Sequence, residues 1–166
     1  MEKRKPTEEN AMFRNMKHDR CRISVEETGN YLREENWGVL SLHGDDGFPY
    51  GVPMNYVWDN GSILLHCASG NSHRLDSLKR SSKVCFTVVP EHKLDRQHWT
   101  TVYTSIIIFG TAELITDPTE KQSAMRAFMT ALIPEKLEEA IQSCDPGKPG
   151  LVMIRIRPLF ITGKQN

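Results

Sequence analysis

The segment with the clearest chemical potential runs from His66 to Arg74. A β-rich run, Ser62 to Cys67, carries His66 near its end, and Ala68-Ser69-Gly70-Asn71-Ser72 then leads into His73-Arg74. Small residues ahead of a helix leave its first backbone N–H groups free, and these favour an anion together with the helix dipole. Ser72 at the cap and Arg74 in the first turn would complete a cradle for a phosphate group. Taken alone, the same residues also make an ordinary capped loop with one surface arginine.

Other chemistry is hard to find. No Gly-x-Gly-x-x-Gly, Walker loop, His-Glu-x-x-His or Gly-x-Ser-x-Gly occurs, so the enzyme classes built on those motifs have no support. The six histidines form no recognisable ligand set. His92 and His98 flank a polar segment and could meet a metal, but solvated loop histidines are the simpler explanation. The four cysteines, Cys21, Cys67, Cys85 and Cys144, show no Cys-x-x-Cys spacing. Cys67 and Cys85 lie in apolar stretches where a thiol packs as a small core residue, and reduced, structural cysteines are expected.

The elements that must position these residues follow from pattern. Residues 1–11 read as a flexible N-terminal arm and 12–166 as one domain. Ser24-Val25-Glu26-Glu27 has capping-box spacing and opens a short helix. Gly38 to Leu42, Gly51 to Trp58 and Ser62 to Cys67 read as strands, with Asp45-Asp46-Gly47 and Asp59-Asn60-Gly61 as turns. His73 to Leu78 suggests a short helix, Lys83 to Val89 a strand stopped by Pro90, and Glu91 to Trp99 a polar loop. Thr100 to Ile115 is a long β-rich run that Gly110 interrupts, as at a bulge. Asp117-Pro118-Thr119-Glu120 starts a helix with the apolar stripe Met125, Phe128, Met129 and Leu132. A second helix is expected after Pro134, then a Pro/Gly loop from Asp145 to Gly150, and a last strand from Leu151 to Arg157. About six strands in hairpin-like succession, with helices in the gaps, predict a mainly β, α+β fold: a small antiparallel barrel.

Composition closes off several classes. With 39% apolar and 25% charged residues, the 166-residue chain can bury a core. Lys+Arg and Asp+Glu both number 21, which argues against a large nucleic-acid or anionic-membrane surface. No apolar run approaches the roughly 20 residues of a membrane span. Met1 to Lys5 is charged and continues into polar residues, so a cytoplasmic protein is expected.

A series of short motifs carries a resemblance. They are Met12-Phe13-Arg14, Gly38-Val39-Leu40, Asp46-Gly47-Phe48-Pro49-Tyr50, Val52-Pro53-Met54-Asn55-Tyr56 and Ile63-Leu64-Leu65-His66. Arg74-Leu75-Asp76, Val84-Cys85-Phe86 and Tyr103-Thr104-Ser105 with Gly110 continue it. In order and spacing, from Met12 to Pro134, the chain resembles the pyridoxamine 5′-phosphate oxidase-related family of FMN-binding split barrels. The branch it is most similar to contains the nitroimidazole-resistance (Nim-like) proteins.

The resemblance implies a six-stranded antiparallel split β-barrel that pairs into a homodimer with FMN at the subunit interface. Pro53, Met54, Asn55 and Tyr56 would run along the flavin ring, and His66 would sit beside it. Ser72, His73 and Arg74 would take the phosphate; the Nim-like branch usually has Lys at the position of Arg74, and either cation suits an anion. Tyr103 and Ser105 match a family strand near the site, whereas relatives often carry Arg at the position of Thr104.

The implied function is an FMN-dependent oxidoreductase passing electrons to a small acceptor, nitroreductase-like in one version. The cofactor would carry the redox step. His66 would give a proton or orient the acceptor, because its pKa lies near neutrality; as a bland alternative it is a satisfied barrel-end histidine. Rival functions are a non-catalytic sensor or binding module holding flavin, or haem through His66, and a structural dimer with an empty site. A deazaflavin in place of FMN would be a variation within the first reading, the FMN-dependent one.

Overall fold

A computed structural model describes residues 13–139 and 150–166, so the N-terminal arm, Cys144 and most of the expected Pro/Gly loop lie outside the described residues. Helix α1 (Val25–Glu34) opens with the predicted capping box. The Glu27 N–H donates to Ser24 Oγ at 3.1 Å, and the Ser24 N–H donates to Glu27 Oε2 at 2.9 Å. Its buried stripe, Thr28 and Leu32, faces the sheet.

Strands β1 (Trp37–His43), β2 (Pro49–Asn55), β3 (Val57–Asp59), β4 (Ser62–Ala68), β5 (Lys83–Asp95), β6 (Thr100–Ile115) and β7 (Leu151–Gln165) form one antiparallel sheet. Their spatial order is β2-β1-β5-β6-β7-β4-β3. The sheet curls until β2 approaches β4, yet no ladder joins those two strands. The result is a barrel with a seam. Helix α2 (His73–Arg80) follows β4, and helix α3 (Pro118–Leu132) follows β6. Among the described residues no helix is long and apolar enough to cross a membrane.

Alternation along the strands decides what each face holds. Leu40, Met54, Leu65, Cys67, Phe86 and Ile108 point inward into the main core. Leu64 and Met153 point the other way, beneath Met125 and Phe128 of α3. Strand β4 is therefore covered on both faces, which explains the unbroken apolar run Ile63-Leu64-Leu65.

The split-barrel architecture agrees with expectation, with seven strands among the described residues in place of six. The extra strand arises because the expected run from Gly51 to Trp58 breaks at Tyr56. Tyr56 and Val57 are consecutive and both buried, so the alternation fails there, and the Tyr56 N–H donates to the Asn36 carbonyl at 2.9 Å. The predicted turn at Asn60-Gly61 has a left-handed backbone, with φ of 46° and 78°.

Two strands are longer than their sequences suggested. Strand β5 passes Pro90 and pairs with β6 as far as Asp95↔Thr100, because a register shift between Val88 and Glu91 absorbs the proline. Strand β7 likewise passes Pro158, which sits opposite Gly110 at the predicted irregularity in β6. After α3 the chain makes a short 3₁₀ turn, Pro134–Lys136, and most of the helix expected beyond it falls outside the described residues.

Candidate functional site

Helix α2 begins where β4 ends, at the seam of the barrel. Ser72 precedes it in extended conformation, and its side chain makes no capping hydrogen bond. The first N–H groups of a helix have no intrahelical partner, so this end offers donors, with a Ser72 hydroxyl that caps none of them beside it. Arg74, one residue into the helix, turns inward. Its Nη1 donates to Met54 Sδ at 3.4 Å across the seam, and its charge lies near enough to the Cys67 thiol to act on its titration. Arg74 Nε is buried and has no partner among the described residues.

Arg74 is thus a half-buried cation whose near neighbours are two sulfur atoms. Among the described residues no carboxylate pairs with it. A buried charge without a counter-ion is costly, and the arrangement suits an anion arriving from outside. Burial pushes the Cys67 thiol up, with the Arg74 charge pulling against it, so Cys67 stays a thiol at neutral pH.

His66 lies on the face of β4 opposite to Cys67 and is exposed. Its ring meets Phe128 of α3 edge-on, with centroids 4.9 Å apart and an interplanar angle of 67°. Partial burial lowers its pKa, and the charge of Arg74 lowers it further.

Strand β2 supplies the other wall. Met54 is buried, whereas Pro53 and Asn55 are exposed on the terminal strand of the sheet. Asn55 Nδ2 donates to the Asn36 carbonyl at 3.2 Å. Tyr56 is fully buried, edge-on to Phe86 at 5.2 Å, and its hydroxyl has no partner among the described residues. Burial, and secondarily Glu35, raises its phenol well above the ordinary tyrosine range.

The remaining expected residues go elsewhere. His73 turns away from Arg74: its ring stacks on Tyr50 at 4.0 Å, and its Nε2 lies 3.3 Å from Asp45 Oδ2. Tyr103 accepts a hydrogen bond from Lys164, whose ammonium also lies 4.9 Å from the Tyr103 ring centre. Ser105 lines a cavity of about 500 Å³ on the outward face of β6 and β7, with Phe13, Ile107, Phe109, Phe160 and Thr162 among its walls. Thr104, between them, points inward at 0% exposure, with its hydroxyl unpartnered among the described residues.

The structure therefore brings Met54, Cys67 and Arg74 together, places His66 within reach of the Arg74 charge, and puts Tyr103 and Ser105 on a different face of the same chain. Neighbours that pattern did not reveal are Asp45, read only as a turn residue, and Phe128, read only as core.

The residues present fit a phosphate-bearing cofactor. The start of α2 carries the non-capping Ser72 hydroxyl, the N–H groups of a first helical turn and Arg74, whose guanidinium has no anion and whose Nε has no partner among the described residues.

No curated protein matches this chain. Solved structures share its fold. A Bacteroides thetaiotaomicron protein described as a 5-nitroimidazole antibiotic resistance protein superposes with a TM-score of 0.69 at 22% identity, over 86% of this chain and 84% of that one. The flavocytochrome Anf3 of Azotobacter vinelandii gives 0.73 at 16% identity, over 97% and 76%. An FAD and haem binding protein of Mycobacterium smegmatis gives 0.68 at 17% identity, over 86% and 71%. The family model described as pyridoxamine 5′-phosphate oxidase matches residues 24–165, and since that span is most of the sequence, the chain belongs to the pyridoxamine 5′-phosphate oxidase family.

Proposed function

We propose that this protein binds FMN at the seam of its barrel and works as an oxidoreductase on a small acceptor. The observation that carries this is Arg74, a half-buried cation whose Nη1 donates to Met54 Sδ and whose Nε is unpartnered among the described residues. One guanidinium and one helix start suit the terminal phosphate of FMN. Relatives named for FAD and haem binding support a flavin-binding chain.

Within this proposal the Ser72 hydroxyl and the backbone N–H groups of His73 and Arg74 hold the phosphate beside the guanidinium. Pro53, Met54, Asn55 and Tyr56 border the ring system along the terminal strand. When bound, the flavin supplies electron transfer between a reduced donor and the acceptor, for which a nitro group is the example the resistance-related structure suggests. His66 is mainly neutral at neutral pH because its pKa is lowered, so it orients an acceptor through a ring hydrogen bond more readily than it releases an imidazolium proton.

The protein acts as a homodimer in this proposal. Ile107 and Phe109 are exposed on the outward face of β6, and pairing there would let Tyr103 and Ser105 serve the partner's cofactor.

Titration with FMN, followed by flavin fluorescence and the visible spectrum, tests the proposal. Quenching with a shifted flavin band is expected. The Arg74→Ala variant should bind FMN about tenfold to a hundredfold more weakly, since hydrogen bonds to charged groups contribute about 1.5–3 kcal/mol. Riboflavin, which lacks the phosphate, should lose nothing in that variant. A wild-type protein that ignores FMN and riboflavin would sink the proposal, and a Soret band on adding haem would redirect it to a haem-binding module.

A further inference from the structure

Both ends of helix α2 converge on one carboxylate. Asp45, in the turn between β1 and β2, accepts from Arg80 Nη1 through Oδ1 at 2.5 Å, and His73 Nε2 lies 3.3 Å from its Oδ2. His73 and Arg80 are the first and last residues of α2, and residues seven apart return to one helix face. Ser77 lies on that face too. It is fully buried, and its hydroxyl accepts from Arg80 Nη2 at 3.1 Å. The same nitrogen donates to the His43 carbonyl at 3.3 Å. One stripe of α2 is thus fastened along its length to the β1–β2 turn.

That turn is itself fixed. The Gly44 N–H donates to the Phe48 carbonyl at 2.9 Å, and the Phe48 N–H donates to the Asp45 carbonyl at 3.0 Å. A Cβ at Gly44 would stand 2.6 Å from the Phe48 carbonyl oxygen. Asp46 and Gly47 hold φ of 53° and 80°, in the left-handed region that few sequences adopt. Asp45 is 62% exposed, yet it projects from a rigid base.

Arg74 follows His73 by one residue, about 100° around the helix from the fastened stripe. The roll of α2 about its axis therefore decides whether the guanidinium faces Met54 and Cys67. We infer that Asp45 is a positioning residue for Arg74: by holding His73 and Arg80 it fixes the roll of α2 and aims Arg74 into the seam. The functional consequence rests on the phosphate site proposed above, while the aiming itself does not.

Charge gives this inference a decisive sign. An acid beside an anion site repels the anion, so on Coulomb grounds alone its removal tightens phosphate binding. Positioning predicts the opposite. In FMN titrations Asp45→Asn should weaken binding about two- to fivefold, the range of an exposed ion pair. Arg80→Lys, which keeps the charge and loses the fork, should shift binding the same way, and Asp45→Glu should restore most of it. Asp45→Asn should add nothing in an Arg74→Ala background. Binding equal to or tighter than wild type in Asp45→Asn overturns the inference.

A second readout needs no cofactor. The Arg74 Nε–H signal, assigned by its absence from Arg74→Ala in ¹H–¹⁵N spectra, should exchange slowly in the wild type and in Asp45→Glu, and faster in Asp45→Asn. Unchanged exchange overturns the inference even if FMN fails to bind. Faster exchange without FMN binding keeps the positioning role and removes only the cofactor.

Discussion

At the scale of single residues, the site turns on one cation and one imidazole that feel each other. Arg74 has sulfur for company and lowers the pKa of His66, second to the effect of burial. Neutralising Arg74 should therefore raise the pKa of His66, whether by Arg74→Ala or by a bound phosphate. Histidine NMR titration checks this, with His66→Gln to assign the signal; a His66 pKa indifferent to both changes would mean the two groups are not coupled. The sign for stability follows. Because folding depresses this pKa below the ordinary value of about 6.5, the contribution of His66 is fully present above that value and is lost as pH falls through the folded pKa. Below about pH 6.5, His66→Gln should flatten part of the acid slope of the melting temperature.

At the scale of elements, α3 is the part whose local sequence is most explicit. Asp117 Oδ1 accepts from the Glu120 N–H at 2.8 Å, with Pro118 as the first helical residue. Asp117→Ala should cost about 1 kcal/mol, read as a fall in Tm of about 2–4 °C; no change would mean the helix start is held by packing alone. The caps of α1 and α3, the Asn60-Gly61 turn and the Gly110 irregularity were all legible because each is a short-range device, set by a few neighbouring residues. The passage of β5 through Pro90 and of β7 through Pro158 was not. Both depend on register shifts against a partner strand, and a proline seen alone signals only a stop. The same limit explains the site. The cradle at Ser72 to Arg74 showed in its own sequence, but the Asp45 contact joins residues 28 and 35 positions away, a pairing that only the fold creates.

At the scale of the whole molecule, the difficulty is that the expected site residues occupy two faces. Arg74 reaches inward to Met54, whereas Ser105 lines the outward groove of β6 and β7. A second copy resolves this if the outward faces meet. Ile107 and Phe109 are 37% and 38% exposed there, and Phe13 stacks on Phe109 and Phe160 at 5.3 Å and 5.0 Å, so apolar surface runs across the face. Large exposed apolar patches mark interaction sites. Ile107→Glu places a charge in that patch, on the face of β6 opposite to the one that faces the Arg74 seam. By sedimentation, the wild type should be a dimer and the variant a monomer, since burying an unpaired carboxylate is costly. The monomer should keep its helical and strand signals and still bind FMN more weakly, because Tyr103 and Ser105 would no longer reach a partner's site. A variant that stays dimeric would move the interface elsewhere. A monomer with undiminished affinity would show that each chain holds its cofactor alone and that Tyr103 and Ser105 have no part in it.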